Sequence, residues 1–262
     1  AQSETIIPVY CFDESHFKTT KFGFKKTGSF RTQFLFESLI DLDSNLRAIG
    51  SGLLIVKGKP EIEIPKLVQQ YKATKVFAKR EVAYEEKKTE VLVQEELFKL
   101  RCELQTVSTS TLYHAEDLPF SIKDIPDVFT KFRNKTEHDA IIRTVFDKPK
   151  QIKSPEISPL NLPKFEALDL KFVPMDKRAA IQFKGGETEA IKRLNHYFFE
   201  TQSISNYKET GVKEPYTVVE PLNIEIMLEE EQCFDDEYAN LLTECQYVLN
   251  LIKTDLYTNT FE

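Results

Sequence analysis

The chain has 262 residues, of which 41% are hydrophobic and 29% are charged, and its formal net charge is −7. This composition is typical of a globular protein with a substantial core, and the lack of any run of about 18 apolar residues excludes a membrane-spanning helix. Four scattered cysteines, none in a CxxC pair, exclude a disulfide framework and indicate reduced thiols in an intracellular protein without a visible signal peptide.

Apolar runs and helical stripes alternate through the first 107 residues. Strands are predicted at 5–12, 53–56, 74–78 and 103–107, and helices at 30–49, 60–71 and 85–99. Strands that alternate with helices indicate βαβ crossovers, so we expect an α/β fold with a Rossmann-like parallel sheet and helices on both faces.

Ligands of such sheets bind beyond the carboxyl ends of the strands. This places residues 11–13, 79–82 and 108–114 around a predicted pocket, in which His114 is expected to be a structural hydrogen-bonding group. Neither GxGxxG nor GxxxxGK[ST] occurs, which disfavours the usual dinucleotide and P-loop cradles.

The second half of the chain differs from the first in its proline content and its charge. Five prolines between residues 147 and 177 predict an inter-domain connector, and a helix is predicted from Glu187 to about Glu200 behind Gly185 and Gly186. Residues 211–262 hold 2 basic and 12 acidic side chains, net −10, which leaves residues 1–210 at +3. Such an acidic tail repels phosphate and predicts weak DNA binding; an amphipathic stretch lies within it at 238–256.

Seven short motifs occur in order between residues 7 and 210. They are IPVYCFD at 7–13, FGFKKTG at 22–28, GKP at 58–60, TLYHAEDLPF at 111–120, PDVFTKFR at 126–133, GGE at 185–187 and YKET at 207–210. In this order and spacing they resemble the DASH group of cryptochromes, in the DNA photolyase/cryptochrome family. The resemblance implies an N-terminal photolyase-like α/β antenna domain at 1–146, a linker at 147–184 and the start of a helical FAD-binding region at 185–210, before a divergent acidic tail at 211–262.

Parts of the family pattern have no counterpart in the chain. These are its first, central strand, most of the helical FAD domain, the phosphate-binding segment and the electron-relay tryptophans, and the chain contains no Trp. Either the chain is an incomplete gene model with an unrelated tail, which we favour, or it is a diverged remnant. Because a parallel sheet without its central strand leaves backbone groups unpaired, we expect poor folding in isolation.

The family resemblance implies two cofactors, FAD and 5,10-methenyltetrahydrofolate. Glu81 matches the glutamate that hydrogen-bonds the pterin of the folate antenna, and Tyr207 matches a tyrosine that contacts FAD. The arginine that meets the DNA backbone falls on Gly211 here. With no phosphate-binding segment we expect weak FAD binding, and no residue is assigned as catalytic or as a metal ligand.

The implied function is that of a monomeric blue-light flavoprotein, which repairs cyclobutane pyrimidine dimers in single-stranded DNA as a deoxyribodipyrimidine photo-lyase, or senses light. Whether this chain is itself an enzyme stays open. The alternative is a non-catalytic α/β module that binds a pterin, a nucleotide or a protein. An electron-transfer flavoprotein domain is a third, weaker hypothesis. The lysines at 21, 25 and 26 either touch phosphate or are simply solvated.

Overall fold

The computed structural model describes residues 5–109, 111–144, 146, 148–174 and 184–201. The chain divides into two compact units. The first takes residues within 1–74, 89–103 and 148–222, and the second takes residues within 75–88, 104–147 and 223–262. Each unit is built around one pair of hydrogen-bonded strands.

The first unit begins with a β-α-β arrangement. Strand β1 (Val9–Phe12) pairs in parallel with β2 (Leu54–Lys57), with Val9 opposite Leu54. Helix α1 (Ser29–Ala48) connects the two strands, and α2 (Pro60–Tyr71) follows β2. Pro60 stands at the start of α2, where its missing N–H costs nothing and its fixed φ suits a helix.

The remaining elements among the described residues are a second pair of strands, three helices and several short turns. Strand β3 (Lys75–Lys79) is hydrogen-bonded to β4 (Glu103–Val107), and α3 (Tyr84–Lys99) lies between them in sequence. Helix α4 (Phe129–Asp139) belongs to the second unit and α5 (Glu187–Asn195) to the first. Short turns of 3₁₀ helix occupy Glu14–Phe17, Ala115–Asp117, Ile122–Asp124 and Phe165–Leu168, and a π turn, His196–Glu200, extends α5.

The core of the first unit is aromatic. Phe12 at the end of β1 is only 1% exposed, and its ring stacks on that of Phe17 with centroids 4.8 Å apart. Phe36 of α1, Leu168 and Leu170 close the cluster. The two leucines come from the proline-rich region, so part of the segment predicted as a connector contributes to the core.

The proline-rich segment also follows the edge of the first unit through its main chain. The amide of Ile6 donates to the carbonyl of Lys153 at 2.9 Å, and the amide of Ile152 donates to the carbonyl of Ile49 at 2.8 Å. The hydroxyl of Ser154 adds a hydrogen bond of 2.6 Å to the carbonyl of Ile6. An extended chain can form these bonds without regular structure, which is compatible with its prolines.

The predicted α/β class is confirmed: strands and helices alternate, and β1 and β2 are parallel. Within the described ranges the four strands form two pairs, β1–β2 and β3–β4. No helix in those ranges is long and apolar enough to cross a membrane. The predicted amphipathic stretch at 238–256 lies outside the described residues.

Candidate functional site

The carboxyl ends of β3 and β4 lie side by side in the second unit. The amide of Arg80, directly after β3, donates to the carbonyl of Val107, the last residue of β4, at 2.8 Å. The Arg80 guanidinium donates from Nε and Nη2 to Thr106 Oγ1 at 3.1 and 3.0 Å. The side chain of Arg80 is therefore directed onto β4, and the next residue, Glu81, begins the loop at this edge.

Glu81 is a partly exposed carboxylate at that edge. Its Oε1 lies 3.3 Å from Nζ of Lys79, and about a third of each side chain is exposed, 34% and 36% respectively. A carboxylate can accept two parallel N–H bonds from the edge of a heterocycle. Lys79 competes for this carboxylate, so a ligand would have to share or displace the ammonium group.

Glu86 supplies a second acceptor in the same unit. It lies five residues after Glu81, in the first turns of α3, and its Oε2 is buried without a hydrogen-bond partner among the described residues. A buried acceptor without a donor costs about 1–3 kcal/mol.

The loop after β4 carries Tyr113 and His114. Thr111 Oγ1 donates to the carbonyl of Tyr113 at 2.7 Å, and the amide of Glu116 donates to Nδ1 of His114 at 3.3 Å. His114 therefore caps the 3₁₀ turn that follows it, with Nδ1 as the acceptor. Burial, and then the negative charge of Glu137, raise the pKa of the Tyr113 hydroxyl, so this group stays protonated.

An exposed ion-pair cluster stands beside this turn. Arg143 Nη2 donates to Asp117 Oδ1 at 2.9 Å and to Glu116 Oε2 at 3.2 Å, and its Nε donates to Asp117 Oδ2. The hydrogen bonds from Arg143 lower the pKa of Asp117. Arg143 follows Asp117 by 26 residues, and no spacing pattern in the sequence predicts this ion pair.

The carboxyl ends of β1 and β2, in the first unit, form a different kind of site. Gly58 donates its amide to the carbonyl of Phe12 at 3.0 Å, and the Cys11 thiol donates to the carbonyl of Gly58 at 3.2 Å. Burial, followed by the charges of Asp13, Glu63 and Glu61, raises the pKa of Cys11 to about 12. Cys11 is consequently a structural thiol and not a nucleophile.

The structure assembles only part of the predicted pocket within one unit. Residues 79–82 and the described residues of 108–114 belong to the second unit, whereas residues 11–13 belong to the first. Tyr207 lies outside the described residues. The described ranges contain no group of three His, Cys, Asp or Glu side chains that could hold a metal ion.

Comparison with known proteins points to one family. A sequence model described as DNA photolyase matches residues 1–155. Proteins named cryptochrome DASH from Danio rerio and Gloeobacter violaceus are 43% and 39% identical to the chain over 215 and 206 residues. These alignments cover 79% and 78% of this chain and 41% of each relative, so the chain spans about two fifths of their length.

Solved structures agree with the sequence comparison. The crystal structure of a cryptochrome from Synechocystis superposes with a TM-score of 0.82 at 34% identity, covering 93% of this chain and 54% of that one. A class III photolyase from Agrobacterium tumefaciens shares the fold, with a TM-score of 0.58 at 22% identity, over 75% of this chain and 39% of that one.

Proposed function

The chain belongs to the DNA photolyase family, and from this premise we propose that it is the antenna-domain part of a blue-light flavoprotein of the cryptochrome DASH kind. The observation that carries the proposal is its 43% identity to a cryptochrome DASH over 79% of the chain. The whole protein would repair cyclobutane pyrimidine dimers in single-stranded DNA, or sense light. When bound, the folate would supply absorbed light energy and FAD the electron.

Glu81 is the residue that we assign to the folate antenna. Its carboxylate stands at the carboxyl end of β3 and is one-third exposed, which suits a donor pair on a pterin edge. The Glu81 carboxylate at this edge of the second unit therefore suits a ligand that carries N–H donors.

For FAD we propose Tyr207 as a contact, on the family resemblance alone. The protein's part would be to orient the cofactor and to exclude water from it.

We further propose that the protein acts as a monomer inside the cell. The two thiols among the described residues, Cys11 and Cys102, are both free, which suits a reducing compartment.

The folate assignment is tested by reconstituting the full chain with 5,10-methenyltetrahydrofolate and following the visible absorbance of the protein fraction. Glu81→Gln keeps the shape of the side chain but removes its charge, and should weaken binding by about ten- to 100-fold. Lys79→Met removes the competing ammonium and should strengthen binding. Glu95→Gln, on an exposed position of α3, is the matched control and should bind as the parent chain does.

The same spectrum separates the two candidate functions. Stoichiometric flavin bands after addition of FAD would support photochemistry by this chain. A folate band alone would support the alternative, a non-catalytic α/β module that keeps a pterin site. That alternative rests on the partly exposed carboxylate of Glu81 at the carboxyl end of β3, which needs no FAD to bind a pterin. The absence of both bands would overturn both cofactor assignments.

A further inference from the structure

A short hairpin at Lys18–Lys26 precedes α1 in the first unit. Thr19 and Lys25 form an antiparallel bridge across it. Gly23 closes the turn with φ +86°, and its amide donates to the carbonyl of Thr20 at 3.1 Å. A glycine suits this position because other residues rarely adopt such a φ. The hairpin thus has a defined shape of its own.

The tip of the hairpin exposes two phenylalanine rings. Phe22 is 61% exposed and Phe24 is 56% exposed, although Phe12 in the same unit is buried. The two rings are nearly parallel, with an interplanar angle of 15° and centroids 6.1 Å apart. Nζ of Lys21 lies 5.0 Å from the centroid of Phe22. The rings do not contribute to the buried core of the first unit, so core packing does not explain why the hairpin carries them.

The hairpin lies in a stretch of the chain that carries only positive charges. Residues 15–36 contain no Asp or Glu but hold four lysines and one arginine, net +5. Lys25 pairs with Asp169 at 2.8 Å, whereas Lys18 and Lys21 are exposed. The chain as a whole is at −7 only because residues 211–262 contribute −10. The hairpin is therefore locally complementary to a polyanion.

We propose that the Phe22–Phe24 pair is a stacking surface for the bases of single-stranded DNA, with Lys18 and Lys21 contacting the phosphates. Exposed aromatic rings set among lysines are what a sequence-tolerant single-strand surface requires, because every base presents a π face and every nucleotide a charge. A duplex keeps its bases stacked inside, so it cannot offer them to these rings. The choice of DNA rests on the proposed function of the whole protein; the stacking surface itself needs no flavin.

The test uses the full chain, without cofactors, and a fluorescently labelled oligothymidylate at low salt, read by anisotropy. Replacing both rings, Phe22→Leu with Phe24→Leu, keeps apolar area but removes the π faces, and should weaken binding by roughly tenfold or more. Phe22→Tyr with Phe24→Tyr keeps the faces and should retain the parent affinity. Lys21→Gln should lower the slope of log K against log salt by about 0.7.

Matched variants control for exposure and charge elsewhere in the first unit. Phe98→Leu, at a ring that is 83% exposed, and Lys150→Gln should leave binding unchanged. Equal losses with the leucine and tyrosine pairs, binding of a duplex as tight as that of the single strand, or tighter binding of oligouridylate RNA would each overturn the proposal. The outcome is independent of the cofactor spectra, so failure here and failure of the flavoprotein assignment are distinguishable.

Discussion

The amide of Gly185 donates a hydrogen bond of 2.7 Å to Oε2 of Glu37, 148 residues earlier in the chain. One turn further along α1, Oδ2 of Asp41 accepts from the amide of Thr188 at 3.1 Å. Both donors stand at or just before the start of α5, where main-chain N–H groups have no partner inside the helix. Two carboxylates spaced four residues apart on α1 thus hold the N-terminus of α5 against it.

Substitution of Gly185 by alanine should release α5 from α1. A Cβ at this position would lie 2.1 Å from the carbonyl oxygen of Phe34, which is backbone and cannot move aside cheaply. We expect a loss of stability of about 1–3 kcal/mol or more. Faster hydrogen exchange in residues 184–201 would report it.

The control for that substitution is Gly28→Ala. A Cβ at Gly28 meets nothing within 4 Å, and its φ of −87° is open to any residue. Gly28 is the N-cap of α1, so alanine there costs at most about 1 kcal/mol. If exchange in α5 rises equally in both variants, the close approach of Gly185 to α1 is not what holds the helix.

Asp43 is a third structural carboxylate on α1, and it joins that helix to Leu53, the residue directly before β2. Its Oδ1 accepts from the amide of Leu53 at 2.8 Å, and its Oδ2 accepts from Nε of Arg47 at 2.8 Å. Asp43→Ala leaves the buried Leu53 amide without an acceptor and should cost about 1–3 kcal/mol of unfolding free energy. Asp43→Asn keeps one acceptor oxygen and should cost less, as measured by the free energy of local opening from hydrogen exchange at the Leu53 amide. Equal losses in the two variants would contradict the role given to the Leu53 amide.

Much of the secondary structure is readable from the sequence. Helix α1 was predicted from its apolar spacing and spans Ser29–Ala48, and α2 begins at the proline that signalled it. Helix α4 was missed because its apolar side chains, Phe129 and Phe132, give too short a stripe for helical periodicity to register. Apolar periodicity predicts a helix only where enough apolar residues recur at helical spacing, and α4 has too few of them.

Tertiary pairing was much harder to foresee. Leu168 and Leu170 pack in the core of the first unit. The prolines around them predict irregular backbone, but they do not indicate which residues that backbone packs against. The ion pair of Glu81 with Lys79 joins the last residue of β3 to the loop that follows it, and the sequence analysis did not predict it. The role of Glu81 came from family resemblance and stays a prediction, as does that of Tyr207.

Cys11 should be inert to alkylation in the folded chain. Its pKa of about 12 leaves almost no thiolate at pH 8, so iodoacetamide should modify it far more slowly than in the unfolded chain, where the pKa is near 9.0. Since the folded pKa is the higher one, the contribution of this thiol to stability is complete below pH 9 and is lost as the pH rises towards 12.

Mass spectrometry of the alkylated peptides gives the rate for each cysteine separately. Above pH 9, the free energy of unfolding of Cys11→Ser should decrease less steeply with pH than that of the parent chain. Modification of Cys11 at the same rate in folded and unfolded protein would show that the hydrogen bond to Gly58 does not persist in solution.

The isolated chain should lack a cooperative unfolding transition above about 45 °C, the lower end of the range for mesophilic domains. Each described sheet has only two strands, and a two-stranded sheet needs further strands or helix packing to be stable. Strand β3 is weakly covered, since Phe77 at its centre is 47% exposed. The aromatic core of the first unit should therefore outlast the second, and near-ultraviolet circular dichroism should decline gradually on heating. A single sharp transition above that temperature would show instead that the two strand pairs are stabilised together.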